Sequence, residues 1–217
     1  MNRQTFSAIL LLIVIFSCTE QSSKPSGQVM DQLLTGLQTY DTTSPTGWKI
    51  NYLTDKDSSI LVIQWSKGGF LGMDTIPNKI AVLRNDYRPT FGGESKSNIY
   101  MPYRCANDCD ALLVLSKETP KDTTLFHILN YDTNSDRVVM FNDEGSDMGK
   151  LKVDVFSLKS NKDTSITFEN SSIEYSDIHK ERFIDSIVFE EGRTIIQAVF
   201  PDKDGGFKKQ RKTAAIQ

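Results

Sequence analysis

The stretch LKVDVFSLKSNKDTSITF, residues 151–168, sets two strand-like runs on either side of a polar five-residue spacer. Leu151, Val153 and Val155 recur at every second position, with Lys152 and Asp154 between them. That period places successive side chains on opposite faces of an extended chain, one face apolar and one polar. KSNKD supplies polar residues that reverse a chain, so the segment predicts a β-hairpin.

The pattern continues outward from this hairpin. LFHILNY (125–131) and RVVMF (137–141) flank DTNSD as another hairpin, and IDSIVF (184–189), TIIQAVF (194–200) and GFKKQRKT (206–213) follow as a meander. Upstream lie WKINYL (48–53), SILVIQW (59–65), KIAVL (79–83), NIYMPYR (98–104) and ALLVLS (111–116). SILVIQW is nearly all apolar and reads as a central strand covered on both faces. Pro102 confines its strand to an edge or a bulge. One segment has a helical period: Met30, Leu33, Leu34 and Leu37 form an apolar stripe in QVMDQLLTGLQTY. The sum is a mostly β fold, an antiparallel sandwich or barrel of ten to eleven short strands with one short N-terminal helix. It is expected to form a single domain over residues 28–217.

The N-terminus has a different character. Arg3 is followed by FSAILLLIVIF, Phe6 to Phe16, eleven residues without a charge. At ~1.5 Å per residue this run is shorter than a ~30 Å hydrocarbon core, and the layout is that of a secretory signal peptide. Ile15-Phe16-Ser17-Cys18 resembles the lipobox of bacterial lipoprotein precursors, with Phe16 where the family usually has a smaller or aliphatic residue. The resemblance implies cleavage after residue 17, a diacylglyceryl group on the Cys18 thiol and acylation of its new amine. Several acyl chains at ~0.8 kcal/mol per buried CH₂ form a lasting anchor in membrane lipid. Thr19, standing where Asp often marks inner-membrane retention, implies an outer-membrane destination if the cell has one. Residues 18–27 include TEQSSKPSG, which has nothing apolar to pack and reads as a flexible tether.

Removal of residues 1–17, whose one charged side chain is Arg3, leaves 200 residues with 24 basic and 28 acidic groups. That balance lacks the broad basic footprint of a nucleic-acid binder. The basic cluster KKQRK (208–212) has charge on both faces of its strand and reads as a protected sheet edge, or else as a contact for anionic headgroups. With Cys18 acylated, Cys105 and Cys109 remain, and an exported pair around Asn107-Asp108 predicts a disulfide across a tight turn.

Catalytic signals are sparse. His127, between Leu125 and Leu129 on one face, reads as a buried, hydrogen-bonded side chain, and His179 as a solvated one. Neither a G-x-S-x-G elbow nor an H-E-x-x-H helix occurs. Asp132, Asn134 and Asp136 alternate like the first half of an EF-hand loop. Arg137, however, replaces its glycine and Asp143 its closing Glu, so a hairpin turn is the main reading and a metal site the lesser one. Trp48, Tyr52 and Trp65 read as core. No cofactor is expected. The longest loops, Gly68 to Ser97, are the expected ligand edge, with Phe70, Tyr87, Arg88 and Phe91 as candidate contacts. The leading expectation is a lipid-anchored binding or assembly module of the cell envelope with a protein or glycan partner. The alternatives are an envelope hydrolase using unidentified carboxylates and a protein inhibitor of a lytic enzyme.

Overall fold

The computed structural model describes residues 38–54, 60–76, 84–106, 109–146, 149–171, 179–202 and 204–215. They form fifteen strands, more than the ten to eleven expected. The strands are β1 (Gln38–Thr43), β2 (Lys49–Thr54), β3 (Leu61–Lys67), β4 (Phe70–Ile76), β5 (Gly93–Glu94), β6 (Asn98–Ala106), β7 (Cys109–Ser116) and β8 (Asp122–Phe126), then β9 (Ile128–Asp132), β10 (Arg137–Phe141), β11 (Lys150–Ser157), β12 (Lys162–Glu169), β13 (Ile184–Glu190), β14 (Arg193–Pro201) and β15 (Phe207–Ala215). No α-helix occurs among the described residues. The helix expected around Met30–Leu37, the strand KIAVL, the signal segment and the tether lie outside them.

Every pairing is antiparallel between neighbours in sequence. Strands β1–β4 make the first sheet, β5–β8 the second, β9–β12 the third and β13–β15 the fourth. No sheet closes on itself, so the barrel alternative is excluded. The opening hairpin is as read: β11 and β12 pair from Lys150↔Glu169 to Ser157↔Lys162.

Three apolar clusters show how the sheets stack. Ile50, Ile63 and Trp65 of the first sheet meet Ile99, Met101 and Leu113 of the second. Tyr100, Leu112 and Val114, on the other face of the second, meet Val138 of the third. Val139, Val153 and Phe168 of the third meet Ile196, Ala198 and Phe200 of the fourth. The sheets therefore pack face to face in chain order, as consecutive blades of a propeller do. This order explains the unbroken apolar runs. Leu112 and Leu113 point to different sheets and both are fully buried. Val138 and Val139 do the same one sheet further on.

Two segments differ from the sequence reading. FLGMDTI, read as part of a loop, is β4. Its apolar alternation is broken at Gly72, which lies opposite Trp65 in the ladder. The indole fills the missing side chain's space, since a Cβ on Gly72 would stand 2.2 Å from Trp65 Cε2. LFHILNY is not one strand but the end of β8 and the start of β9. His127, with φ 55°, turns the chain from the second sheet into the third, and its side chain is exposed rather than buried.

Replacing Gly72 with Ala should lower stability by about 1–3 kcal/mol, the usual cost of overpacking a filled core. Gly69→Ala, where a Cβ meets nothing within 4 Å, serves as the control. Denaturant unfolding compares the two, and equal midpoints would overturn the Trp65–Gly72 account.

Candidate functional site

One edge of the stack collects hairpin turns from all four sheets, and a polar tie bridges each sheet interface there. Between the first and second sheets, Glu94 accepts hydrogen bonds from Thr46 N at 2.8 Å, Thr46 Oγ1 at 2.6 Å, Ser44 Oγ at 3.1 Å and Lys117 Nζ at 2.6 Å. The Lys117 and Glu94 side chains are 7% and 9% exposed. Burial works against the Glu94 charge, but the hydrogen bonds from Lys117, Thr46 and Ser44 outweigh it and hold the carboxyl down at about 2. Close by, Trp65 Nε1 donates to Ser116 O at 2.7 Å.

The second and third sheets are joined through Asp136. Its Oδ1 accepts from Asn98 Nδ2 at 3.1 Å and from the Tyr100 hydroxyl. Tyr100 stacks on Tyr131 with centroids 5.6 Å apart. Burial pushes the Tyr100 phenol up, and the neighbouring Asp136 carboxylate pushes it further. The third and fourth sheets are joined by Arg137, itself buried. It donates to Arg193 O at 2.5 Å, Glu190 O at 2.8 Å and Thr194 Oγ1 at 3.2 Å.

Beside these ties runs a groove of about 1340 Å³ crossing the second, third and fourth sheets. Lys96, Asn134, Lys159 and Glu191 stand exposed along it, with hydroxyls of Ser97, Ser135 and Ser157 between. The lining offers hydrogen-bond donors and acceptors of both charges, which suits recognition of a polar ligand. A second depression of about 350 Å³ has Pro102, Ile128, Leu129 and Tyr131 in its wall and Asp86, Arg104 and Asp110 around it.

The candidate contact residues fall elsewhere. Tyr87 is buried in a 3₁₀ turn, Asn85–Tyr87, while Phe70 and Phe91 pack partly against the first core. Phe70 also meets Trp48 edge-on at 5.2 Å. These aromatics serve packing. Arg88 is half-buried and its charge offsets part of the burial that raises Tyr52 to about 12. Trp48, Tyr52 and Trp65 are core, as expected.

Asp132, Asn134 and Asp136 come together on the groove edge as the β9–β10 turn, but not as a cation cage. Asp132 accepts from Ser135 N at 2.9 Å and Ser135 Oγ at 2.5 Å, while Asp136 faces Tyr100. Among the described residues no three metal-ligating side chains converge. Cys105 and Cys109 end facing strands with Cα atoms 5.2 Å apart, a pair compatible with the expected disulfide. His179 pairs with Glu181 at 3.1 Å. Both histidines lie away from the groove lining.

Sequence reasoning missed Glu94, Lys117 and Arg137. It also missed Asp74 and Asp122, on the outer strands β4 and β8. Burial raises both carboxyls, and the Asp122 charge raises Asp74 further. Comparison with protein-family models, curated proteins and solved structures finds no match to this chain.

Two measurements check the ties. Arg137→Met leaves two carbonyls and a hydroxyl without their donor inside the stack, and should cost about 3 kcal/mol in unfolding experiments. Glu94 has a folded pKa below its ordinary 4.5, so its contribution is complete above that value and lost as pH falls toward 2. The acid limb of the stability curve should flatten in Glu94→Gln; an unchanged limb would mean another group governs it.

Proposed function

We propose that the protein is a lipid-anchored binding module of the bacterial cell envelope, a stacked sandwich scaffold presenting its turn-edge groove to a protein or glycan partner. The observation that carries the binding surface is the groove of about 1340 Å³ lined by turns of three sheets. The ties beside it fix those turns, so the surface is preorganised and a ligand need not order it. The anchor rests on the lipobox-like residues ending at Cys18. Export of the chain into an oxidising compartment accords with the facing Cys105 and Cys109. The outer membrane is the proposed location where the cell has one.

A second reading, a hydrolase, is favoured by one observation. Asp74 and Asp122 are distant in sequence but close enough in the fold for the Asp122 charge to act on Asp74, and burial raises both carboxyls. They stand outside the groove, so the two readings separate by mutation.

In cells, labelled palmitate should enter the wild-type chain and not Cys18→Ala. Crosslinking should capture a defined envelope partner that is lost in the double variant Lys159→Glu, Glu191→Arg and kept in Asp74→Asn. A partner kept by the groove variant would remove the groove from the binding role. Turnover of an envelope polymer abolished by Asp74→Asn or Asp122→Asn would establish the hydrolase instead.

A further inference from the structure

Among the described residues, the fourth sheet is the last of the stack. Its inner face, with Ile196, Ala198 and Phe200, packs on the third sheet. On its outer face β15 presents Phe207, Lys209, Arg211 and Thr213 at alternate positions, all exposed. Phe207 is 76% exposed, more than any other large apolar side chain among the described residues. Its cross-strand neighbour is Pro201, and Val199 stands opposite Lys209. On the reverse side of β15, Gln210 and Lys212 donate to the Glu169 and Thr167 carbonyls of β12. Those two side chains seal a sheet edge. Lys209 and Arg211 point the other way and have no carboxylate partner among the described residues.

Lysines along an edge strand discourage unwanted pairing. That accounts for the charges and leaves Phe207 unexplained. An aromatic ring beside cations is the combination that suits a bilayer interface, where the ring enters the headgroup layer and the cations meet anionic lipid. Segment 201–213 has five basic and two acidic residues, Asp202 and Asp204, in a chain whose net charge is −3. The local field is therefore opposite to that of the whole.

Position in the fold adds a direction. The β13–β14 turn borders the groove, and β14 runs nine residues from Arg193 to Pro201 beside the β15 start. At ~3.3 Å per residue the Phe207 tip lies about 30 Å from the groove edge. The β1–β2 turn is tied to the groove edge through Thr46 and Glu94. Gln38, at the far end of β1, is thus at the end opposite the groove, and nineteen residues separate it from Cys18.

We propose that Phe207, Lys209 and Arg211 form a second contact with an anionic phospholipid bilayer, holding the domain with its groove turned away from the membrane. The contact stands on the exposed face itself; the orientation rests on the anchoring proposed above.

The test uses the full chain purified from bacterial membranes, with Phe207→Trp as reporter, mixed with brominated-lipid vesicles that are either zwitterionic or contain anionic lipid. Trp48 and Trp65 are buried and give a constant background. The expected result is flotation with both vesicle types and reporter quenching that is strong on anionic vesicles alone. Adding Lys209→Ala and Arg211→Ala should weaken the contact equilibrium roughly thirtyfold. Flotation without quenching on anionic vesicles overturns the contact and keeps the anchor. Flotation and quenching on anionic vesicles, without flotation on zwitterionic ones, keep the contact and overturn the anchor. No flotation on either overturns both. Quenching unchanged by the two alanines shows that these cations do not carry the contact, and overturns it as drawn.

Discussion

Pairing the polar groups enclosed between the sheets, next to the exposed hairpin turns, is the constraint on which this stack depends. A polar group left bare inside costs about as much as a lost hydrogen bond. Face-to-face packing encloses groups such as the Tyr100 and Thr194 hydroxyls, so they need partners before the apolar faces can meet. Glu94 and Lys117 provide them at the first interface, Asp136 at the second and Arg137 at the third. Charged groups suit this position because a single carboxylate or guanidinium satisfies several donors or acceptors at once. Their net contribution to stability is smaller than their contact distances suggest, since desolvation offsets much of the attraction. What they supply is alignment: turns locked in one arrangement, with a groove whose walls are already set.

The apolar faces complete the same logic. Sheets two and three lie inside the stack, and β6, β7 and β10 bury side chains on both faces. ALLVL in β7 and VVM in β10 are runs without polar alternation because each face meets another sheet. In β11 the polar positions Lys152 and Asp154 return, since only Leu151, Val153 and Val155 enter the core against the fourth sheet.

Much of this fold was legible in the sequence. The alternation of residues 151–168 and the apolar runs of β3 and β7 mark strands by themselves. The rest was hidden for physical reasons. Gly72 removes an apolar position from β4 because Trp65 fills its space from the next strand, a relation invisible in local order. His127 bends LFHILNY at a residue that gives no turn signal, so two strands in different sheets read as one. Tyr87 and Phe91 sit among glycines and prolines that suggest an open loop, yet their rings close the first core. The site was less legible still. Thr46 and Glu94 are 48 residues apart and Arg137 and Glu190 are 53 apart. Nothing in either residue's neighbours signals its partner. The Asp132–Asp136 turn was visible as a turn; its place beside the groove was not.

Each interface owns a separate apolar cluster and a separate tie, and this division governs how the chain comes apart. Contacts run between adjacent sheets, as in repeat proteins, where stability is a sum of unit terms and nearest-neighbour couplings. Among the described residues, the end sheets are each held by one such interface and the inner sheets by two. Opening therefore begins at an end, and amide protection should step upward from β13 and β15 toward β7 and β10 rather than change uniformly. A molecule built in this way can loosen a terminal sheet while the groove's central walls keep their shape.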